Sequence, residues 1–179
     1  MIDNLAPAFT WWLTGLPAAG KSTLAQALAR TLQAMGESVA VLDGDVLRTG
    51  LCQDLGFSDA DRMENMRRVA EVAVILNRCG THAIVALVSP TRAGRDRARQ
   101  ILGTQGFIEV HVSTSLEVCR QRDPKGLYAR AAQDPAIGLT GVQAPYEAPL
   151  AADLSIDTAR LSIEEATRLL IGARELKKA

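Results

Sequence analysis

Short apolar runs alternate along this chain with longer stretches in which apolar residues recur every third or fourth position. Phe9-Thr10-Trp11-Trp12-Leu13-Thr14 is a β-rich run broken by Gly15, and Lys21 to Met35 then carries Leu24, Ala25, Leu28, Ala29 and Leu32 on one helical face. Ser38-Val39-Ala40-Val41-Leu42 predicts a second strand, closed by the acidic turn Asp43-Gly44-Asp45. Asp59 to Arg78 is charged on one side, with Val69, Val72, Ala73 and Leu76 as the inward stripe. Ala83-Ile84-Val85-Ala86-Leu87-Val88 predicts a third strand ending at Ser89-Pro90, followed by an Arg-rich helix over 91–102. Phe107 to Val112 predicts a fourth strand, Ser115 to Arg122 a short helix, Leu154 to Asp157 a fifth strand, and Ile163 to Lys177 a closing amphipathic helix.

The rhythm breaks between Asp123 and Pro149. This stretch holds four prolines and three glycines, so only a short helix over about 127–132 is expected. A segment of that length inside a compact domain is a lid or a disordered insert, and its aromatic and charged content favours a lid. Elsewhere, alternating strands and helices at this spacing predict an α/β fold: a three-layer, mostly parallel five-stranded sheet with helices on both faces and right-handed crossovers. Near-continuous apolar strands agree, because a parallel sheet is covered on both sides. Ligands in such sheets bind beyond the C-terminal strand ends, which gathers 15–22, 43–45 and Ser89 at one edge.

Composition narrows the setting. The 179 residues suit one domain (1–179, with the lid at about 123–149), and no internal repeat is visible. Lys and Arg balance Asp and Glu at 20 each, so neither nucleic-acid binding nor disorder is suggested and a small-molecule substrate fits better. Three scattered cysteines in no metal-binding spacing, no leader pattern at Met1-Ile2-Asp3-Asn4 and no bilayer-length apolar run lead to the expectation of a cytoplasmic protein with no membrane attachment.

The candidate chemistry starts at Gly15-Leu16-Pro17-Ala18-Ala19-Gly20-Lys21-Ser22, a complete G-x-x-x-x-G-K-[ST] phosphate loop between a predicted strand and a predicted helix. Backbone N–H groups at the helix N-terminus would meet a phosphate chain, Lys21 would reach the β- and γ-phosphates, and Ser22 would bind Mg²⁺. Asp43 and Asp45 supply carboxylates nearby; Asp45 is the candidate metal partner, base or both, while a plain helix cap is the alternative, more so for Asp43. Arg48 lies one turn beyond Asp45, and Arg62, Asn65 and Arg68 share an i, i+3, i+6 spacing that could grip an anion. Simple solvent exposure would explain these arginines equally, and suffices for Arg67 and Arg78.

With these residues in view, the chain resembles the adenylylsulfate (APS) kinase family. The resemblance runs from about Leu13 to Thr158 and is carried by the phosphate loop through Thr23, by Asp43-Gly44-Asp45 with Arg48, and by Asp54-Leu55-Gly56-Phe57-Ser58 with Asp61-Arg62 and Glu64-Asn65. It continues through Ser89-Pro90 with Arg92, Arg122-Asp123-Pro124-Lys125-Gly126-Leu127-Tyr128, Thr140-Gly141 and Ala144-Pro145-Tyr146-Glu147-Ala148-Pro149. The family moves the γ-phosphoryl group of Mg·ATP to the 3′-hydroxyl of adenosine 5′-phosphosulfate, giving PAPS and ADP. The resemblance implies that Arg48, Phe57, Arg62 and Asn65 form the APS site, with Phe57 against adenine and the arginines on the phosphosulfate. It places Arg122 beside the ATP adenine, and Lys125 and Leu139 in a lid over both nucleotides. The family pattern labels the serine at position 89 a phosphoserine intermediate; phosphoryl transfer needs only in-line placement and charge stabilisation, so direct transfer with Ser89 as an active-site residue is favoured.

Some positions depart from the family pattern. Pro17 and Ala18 replace commoner small residues, and Leu87, Thr91 and Leu139 stand where aromatic residues are usual. A related phosphate-loop kinase for another acceptor, and a nucleotide-binding regulatory subunit without activity, are the alternatives. Intact Arg48, Phe57, Arg62 and Asn65 oppose the first; intact Lys21, Ser22, Asp45 and Ser89 oppose the second. The resemblance also implies a homodimer, and any ATP sulfurylase partner would be a separate chain.

Overall fold

The computed structural model describes residues 7–104 and 106–178; the segment Met1-Ile2-Asp3-Asn4 lies outside the described residues. Five strands, β1 (Thr10–Thr14), β2 (Val39–Asp43), β3 (His82–Ala86), β4 (Phe107–Val112) and β5 (Leu154–Ile156), form one sheet in the order β2-β3-β1-β4-β5. Every pairing is parallel, as the apolar strands require. The helices are α1 (Lys21–Ala34), α2 (Gly44–Leu47), α3 (Asp59–Arg78), α4 (Arg92–Leu102), α5 (Leu116–Arg122), α6 (Leu127–Gln133) and α7 (Ile163–Lys178).

Alternation along the strands sorts the core into two layers. Trp11, Leu13, Ile84, Ile108 and Val110 pack with Leu24, Leu28 and Leu32 of α1 and Leu170 of α7. Trp12, Val85 and Phe107 point the other way, against Met66, Val69 and Ala73 of α3 and Ala98 of α4. Both tryptophans are fully buried and each finds an acceptor for its indole N–H, Trp11 on the Leu170 carbonyl at 2.8 Å and Trp12 on Ser89 Oγ at 2.9 Å. The first bond ties α7 to the sheet; the second reaches into the site.

Local sequence sets the helix starts. Ser58, Thr91 and Ser115 accept N–H groups at the heads of α3, α4 and α5. Ser162 and Glu165 form a reciprocal capping box at α7. The predicted third strand is shorter than expected: Leu87 still donates to the Leu13 carbonyl, but the Val88 carbonyl is shared between the Gly15 N–H at 3.4 Å and Thr14 Oγ1 at 2.7 Å as the chain turns toward Ser89. At the opposite edge of the sheet, His82 accepts from the Phe9 N–H through Nδ1 and meets Glu37 through Nε2, and Arg174 of α7 pairs with the same Glu37. That edge is closed by charges that neutralise one another.

Candidate active site

β1 lies between β3 and β4, where the chain order reverses, so the loop after β1 opens into the crevice between diverging connections. Gly15 begins that loop with φ 153°, and a Cβ there would lie 2.5 Å from the Val112 carbonyl oxygen of the neighbouring strand end. The loop can fold this closely only around glycine. α1 then starts at Lys21 with no side-chain cap and no acidic residue in its first turn, leaving its N–H groups and positive dipole end for an anion.

Lys21 is buried, and its Nζ donates to the carbonyls of Gly15 (2.9 Å) and Leu16 (2.7 Å) of its own loop. Burial pushes its pKa down to about 8, against weaker upward pulls from Cys119, Asp43 and Asp45. Ser22 Oγ donates to Asp43 Oδ2 at 2.6 Å, while Asp43 Oδ1 accepts the Asp45 N–H at 3.0 Å and caps α2. From the sequence, Ser22 and Asp45 are the expected metal partners. The structure instead brings Asp43 to Ser22, because a strand-end carboxylate can cap and reach the phosphate loop at once. Asp45 turns outward and pairs with Lys125 of the lid.

A second cluster lies beside the first. Phe57 is 62% exposed, with the Arg48 guanidinium 4.3 Å and the Arg62 guanidinium 5.5 Å from its ring centre, so it is a platform and not core. Arg48 donates to the carbonyls of Leu55 and Gly56, each at 3.1 Å; Arg62 donates to those of Phe57 (2.9 Å) and Gly138 (3.2 Å). Burial and the like charge of Arg48 press the Arg62 pKa downward. Asn65 is buried, and its Nδ2 finds no hydrogen-bond partner among the described residues, an unspent donor on the inner side of this cluster. Arg68 does not join them: it is bound by Asp54 and Glu64, and the three-residue anion grip reduces to Arg62 and Asn65.

The segment 123–149, the expected lid, touches the phosphate loop. Tyr128 donates to the Pro17 carbonyl at 2.9 Å, so Pro17 sacrifices an N–H yet supplies the docking acceptor. Gly141 (φ 87°) meets Leu16, whose Cδ2 would be 2.5 Å from a Cβ at that position. Leu139 is buried in the same apolar cluster as Tyr128 and Ala131, next to the Gly138 carbonyl that holds Arg62. Arg122 donates to Thr158 Oγ1 (2.6 Å) and Thr158 O (2.9 Å), and Thr158 in turn donates to the Ala19 carbonyl, which places Arg122 at the loop's outer rim. The backbone of Ala18 is left-handed (φ 61°), and Thr23, on the first turn of α1, faces solvent. Ser89 is buried, with φ 47°.

A family model for adenylylsulphate kinase matches residues 7–157. The chain belongs to the adenylylsulfate kinase family. Adenylyl-sulfate kinase of Shewanella sp. (strain MR-4) is 53% identical over 160 residues, covering 89% of this chain and 78% of that protein. That of Shewanella denitrificans is 56% identical over 149 residues, covering 83% and 73%. The Mycobacterium tuberculosis APS kinase CysC, solved in complex with AMPPNP and APS, superposes with TM-score 0.90 at 43% identity over 94% of this chain and 98% of that one. A hexameric APS kinase from Thiobacillus denitrificans matches 95% of this chain and 29% of its own (TM-score 0.71, 35% identity). A Sinorhizobium meliloti gluconokinase shares the fold at 18% identity (TM-score 0.63).

Several contacts at this site are not visible in the sequence. Trp12 and Thr14 read as plain strand residues, yet they hold the Ser89 loop. Arg95 reads as one of several helix arginines, yet it is 2% exposed. Two signals pointed to it: Arg95 shares the inward phase of Ala98 and Leu102, and Glu109 interrupts an apolar strand. A carboxylate in such a strand requires a buried cationic partner.

Proposed function

We propose that the chain transfers the γ-phosphoryl group of ATP to the 3′-hydroxyl of adenosine 5′-phosphosulfate, giving PAPS and ADP, in a single domain whose lid spans 123–149. The observation that carries the reading is the pair of adjacent cationic clusters: a phosphate loop with a buried lysine, and an exposed Phe57 between Arg48 and Arg62. The first suits a triphosphate. The second suits a base stacked on a ring with two guanidiniums ready for phosphate and sulfate oxygens. A sugar acceptor would need neither the platform nor two arginines, which disfavours a kinase for a small hydroxyl compound.

In this reading residues 15–23 and Lys21 hold the ATP phosphates, and Arg122 borders its adenine. Magnesium fits the residues present: among the described residues no cluster of three or more His, Cys, Asp or Glu forms a protein cage, and Ser22 with Asp43 offers hard oxygens beside the loop. When bound with ATP, the ion supplies positive charge against the β- and γ-phosphate oxygens. Asp45 is the candidate base for the acceptor hydroxyl, or a water-mediated metal partner. Its pair with Lys125 is exposed on both sides and contributes little, so an anionic ligand can draw Lys125 away at small cost. Arg48, Phe57, Arg62 and Asn65 bind APS, Ser89 lines the acceptor side, and Leu139 pads the lid. Transfer is direct: Ser89 Oγ already accepts from Trp12 and its loop is fixed by Thr14, which suits a positioned wall better than a nucleophile. A homodimer and a separate ATP sulfurylase partner follow from the family resemblance, and a cytoplasmic setting suits the three scattered cysteines. No described helix is long and apolar enough to cross a membrane.

ADP release from Mg·ATP, followed with and without APS and with PAPS identified as product, tests the reading. APS-dependent release is the expected outcome. ATP binding with turnover only on another acceptor would overturn it.

A further inference from the structure

One buried guanidinium joins three parts of the molecule. Arg95 of α4 donates from Nε to Glu109 Oε1 on β4 (2.8 Å), from Nη1 to the Ser89 carbonyl (2.7 Å) and from Nη2 to the Glu147 carbonyl at the C-terminal root of the lid (2.7 Å). Glu109 is held in place from its other oxygen by Arg99 at 2.9 Å. The lid root is fastened around the same point: the Glu147 N–H donates to the Pro90 carbonyl (2.8 Å), and its carboxylate accepts the Arg92 N–H (2.7 Å). Tyr146 stacks on His111, faces Arg95 and shares a hydrogen bond with Thr14 Oγ1, one residue before the phosphate loop. The Ser89 loop needs such support because its backbone sits at φ 47°, a conformation disfavoured for a residue with a Cβ.

We infer that Arg95 is a positioning residue for phosphoryl transfer: it clamps the Ser89 loop to the root of the lid, so that lid and acceptor wall keep one geometry against the phosphate loop. A cation serving stability alone would need only Glu109. Two of the three donors instead go to carbonyls of segments far apart in the chain, both bordering the site. Arginine suits this work because its planar fork presents donors in fixed, divergent directions; a lysine would restore the charge but not the clamp. Arg95 itself is too buried, and too well satisfied, to touch substrate. The inference rests on the kinase reading for its kinetic consequence, but not for the clamp itself.

The test compares Arg95→Lys with Glu109→Gln in the full chain. Arg95→Lys keeps a cation near Glu109 but releases the carbonyls, so KM for APS is expected to rise about tenfold or more and kcat to fall, with affinity for a non-hydrolysable ATP analogue held within about twofold. Glu109→Gln keeps the clamp and weakens only the ion pair, so it should lower the melting temperature and leave KM for APS near wild type. Amide exchange gives a second readout that needs no acceptor: the Glu147 and Gly15 N–H groups should exchange faster in Arg95→Lys, and not in Glu109→Gln. Wild-type kinetics and exchange in folded Arg95→Lys would overturn the inference, as would equal KM changes in both variants that track their loss of stability. If the wild-type chain does not turn over APS, the kinase reading falls, and the exchange comparison still decides the clamp.

Discussion

The two edges of the sheet treat their cations in opposite ways. At the edge away from the phosphate loop, Arg174 is buried against Glu37, which also meets His82. At the loop edge, the contacts of Lys21, Arg48, Arg62 and Arg122 are carbonyl and hydroxyl oxygens. A cation closed on a carboxylate has spent its charge on the fold, whereas one parked on neutral oxygens retains a full charge for an incoming anion. Arg95 stands between the two classes, neutralised by Glu109 yet bonded to carbonyls that shape the site. Lys125 is the exception at the loop edge, held by Asp45 in a pair exposed on both sides; for the other cations named, pairing more than burial separates those that build this molecule from those that work in it.

The sharpest way to break that division is Lys21→Met. Turnover should fall about 10³-fold, as for loss of a preorganised group that meets developing charge. Near-normal turnover would remove the phosphate-loop mechanism. Stability should behave oppositely to a paired cation. The folded-state value of about 8 lies below the ordinary 10.5, so between these pH values the unfolded chain holds a proton that the folded chain gives up. Wild-type stability therefore gains on Lys21→Met as pH rises from 8 to 10.5, by at most about 3 kcal/mol. Denaturant melts of the two proteins at about pH 7.5 and about pH 10.5, which bracket that window, should show the gap closing. A parallel pH response would show that the lysine carries no burial cost.

Next in size is Arg62→Ala, which should raise KM for APS about 100-fold while ATP-analogue affinity stays near wild type, the expected loss of a charge-assisted pair to an anion. Equal loss of both affinities would move Arg62 out of the acceptor site. Arg174→Met sharpens the other side: it removes one of the two partners of Glu37 and leaves His82, so it should cost about 1–3 kcal/mol of stability and leave both KM values unchanged. A kinetic defect without destabilisation there would erase the distinction between the edges. The smallest effect is expected from Gly141→Ala, which changes no charge. Its φ of 87° and the nearby Leu16 side chain should loosen the lid and raise both KM values about threefold, measurable by steady-state kinetics. A change confined to one substrate would contradict a lid that rests on the phosphate loop.

The sheet and its helices were legible because apolar periodicity reports burial directly, and Ser58, Thr91 and Ser115 mark helix starts by local chemistry. The phosphate loop was legible because strand, glycines and helix are contiguous. Which of Asp43 and Asp45 meets Ser22 was not: both sit at the same strand end, and only the turn into α2 decides which carboxylate faces the loop. Leu87 and Val88 continue the apolar run yet lie past the regular strand, since the Thr14 hydroxyl takes the Val88 carbonyl as the chain turns into Ser89. The contacts of Arg95, Trp12 and Tyr146 depend on side chains that meet across the sheet, and no local pattern encodes such pairing. The inward phase of Arg95 on its helix and the carboxylate of Glu109 in an apolar strand were the visible hints.

The central claim is that this edge passes the γ-phosphoryl group straight from ATP to APS. A single-turnover reaction with γ-labelled ATP, excess enzyme and APS, quenched in acid, measures it most directly. Label is expected in the 3′-phosphate of PAPS and none on the protein at any time point. Label appearing first on Ser89, or leaving as inorganic phosphate with no PAPS formed, would contradict it.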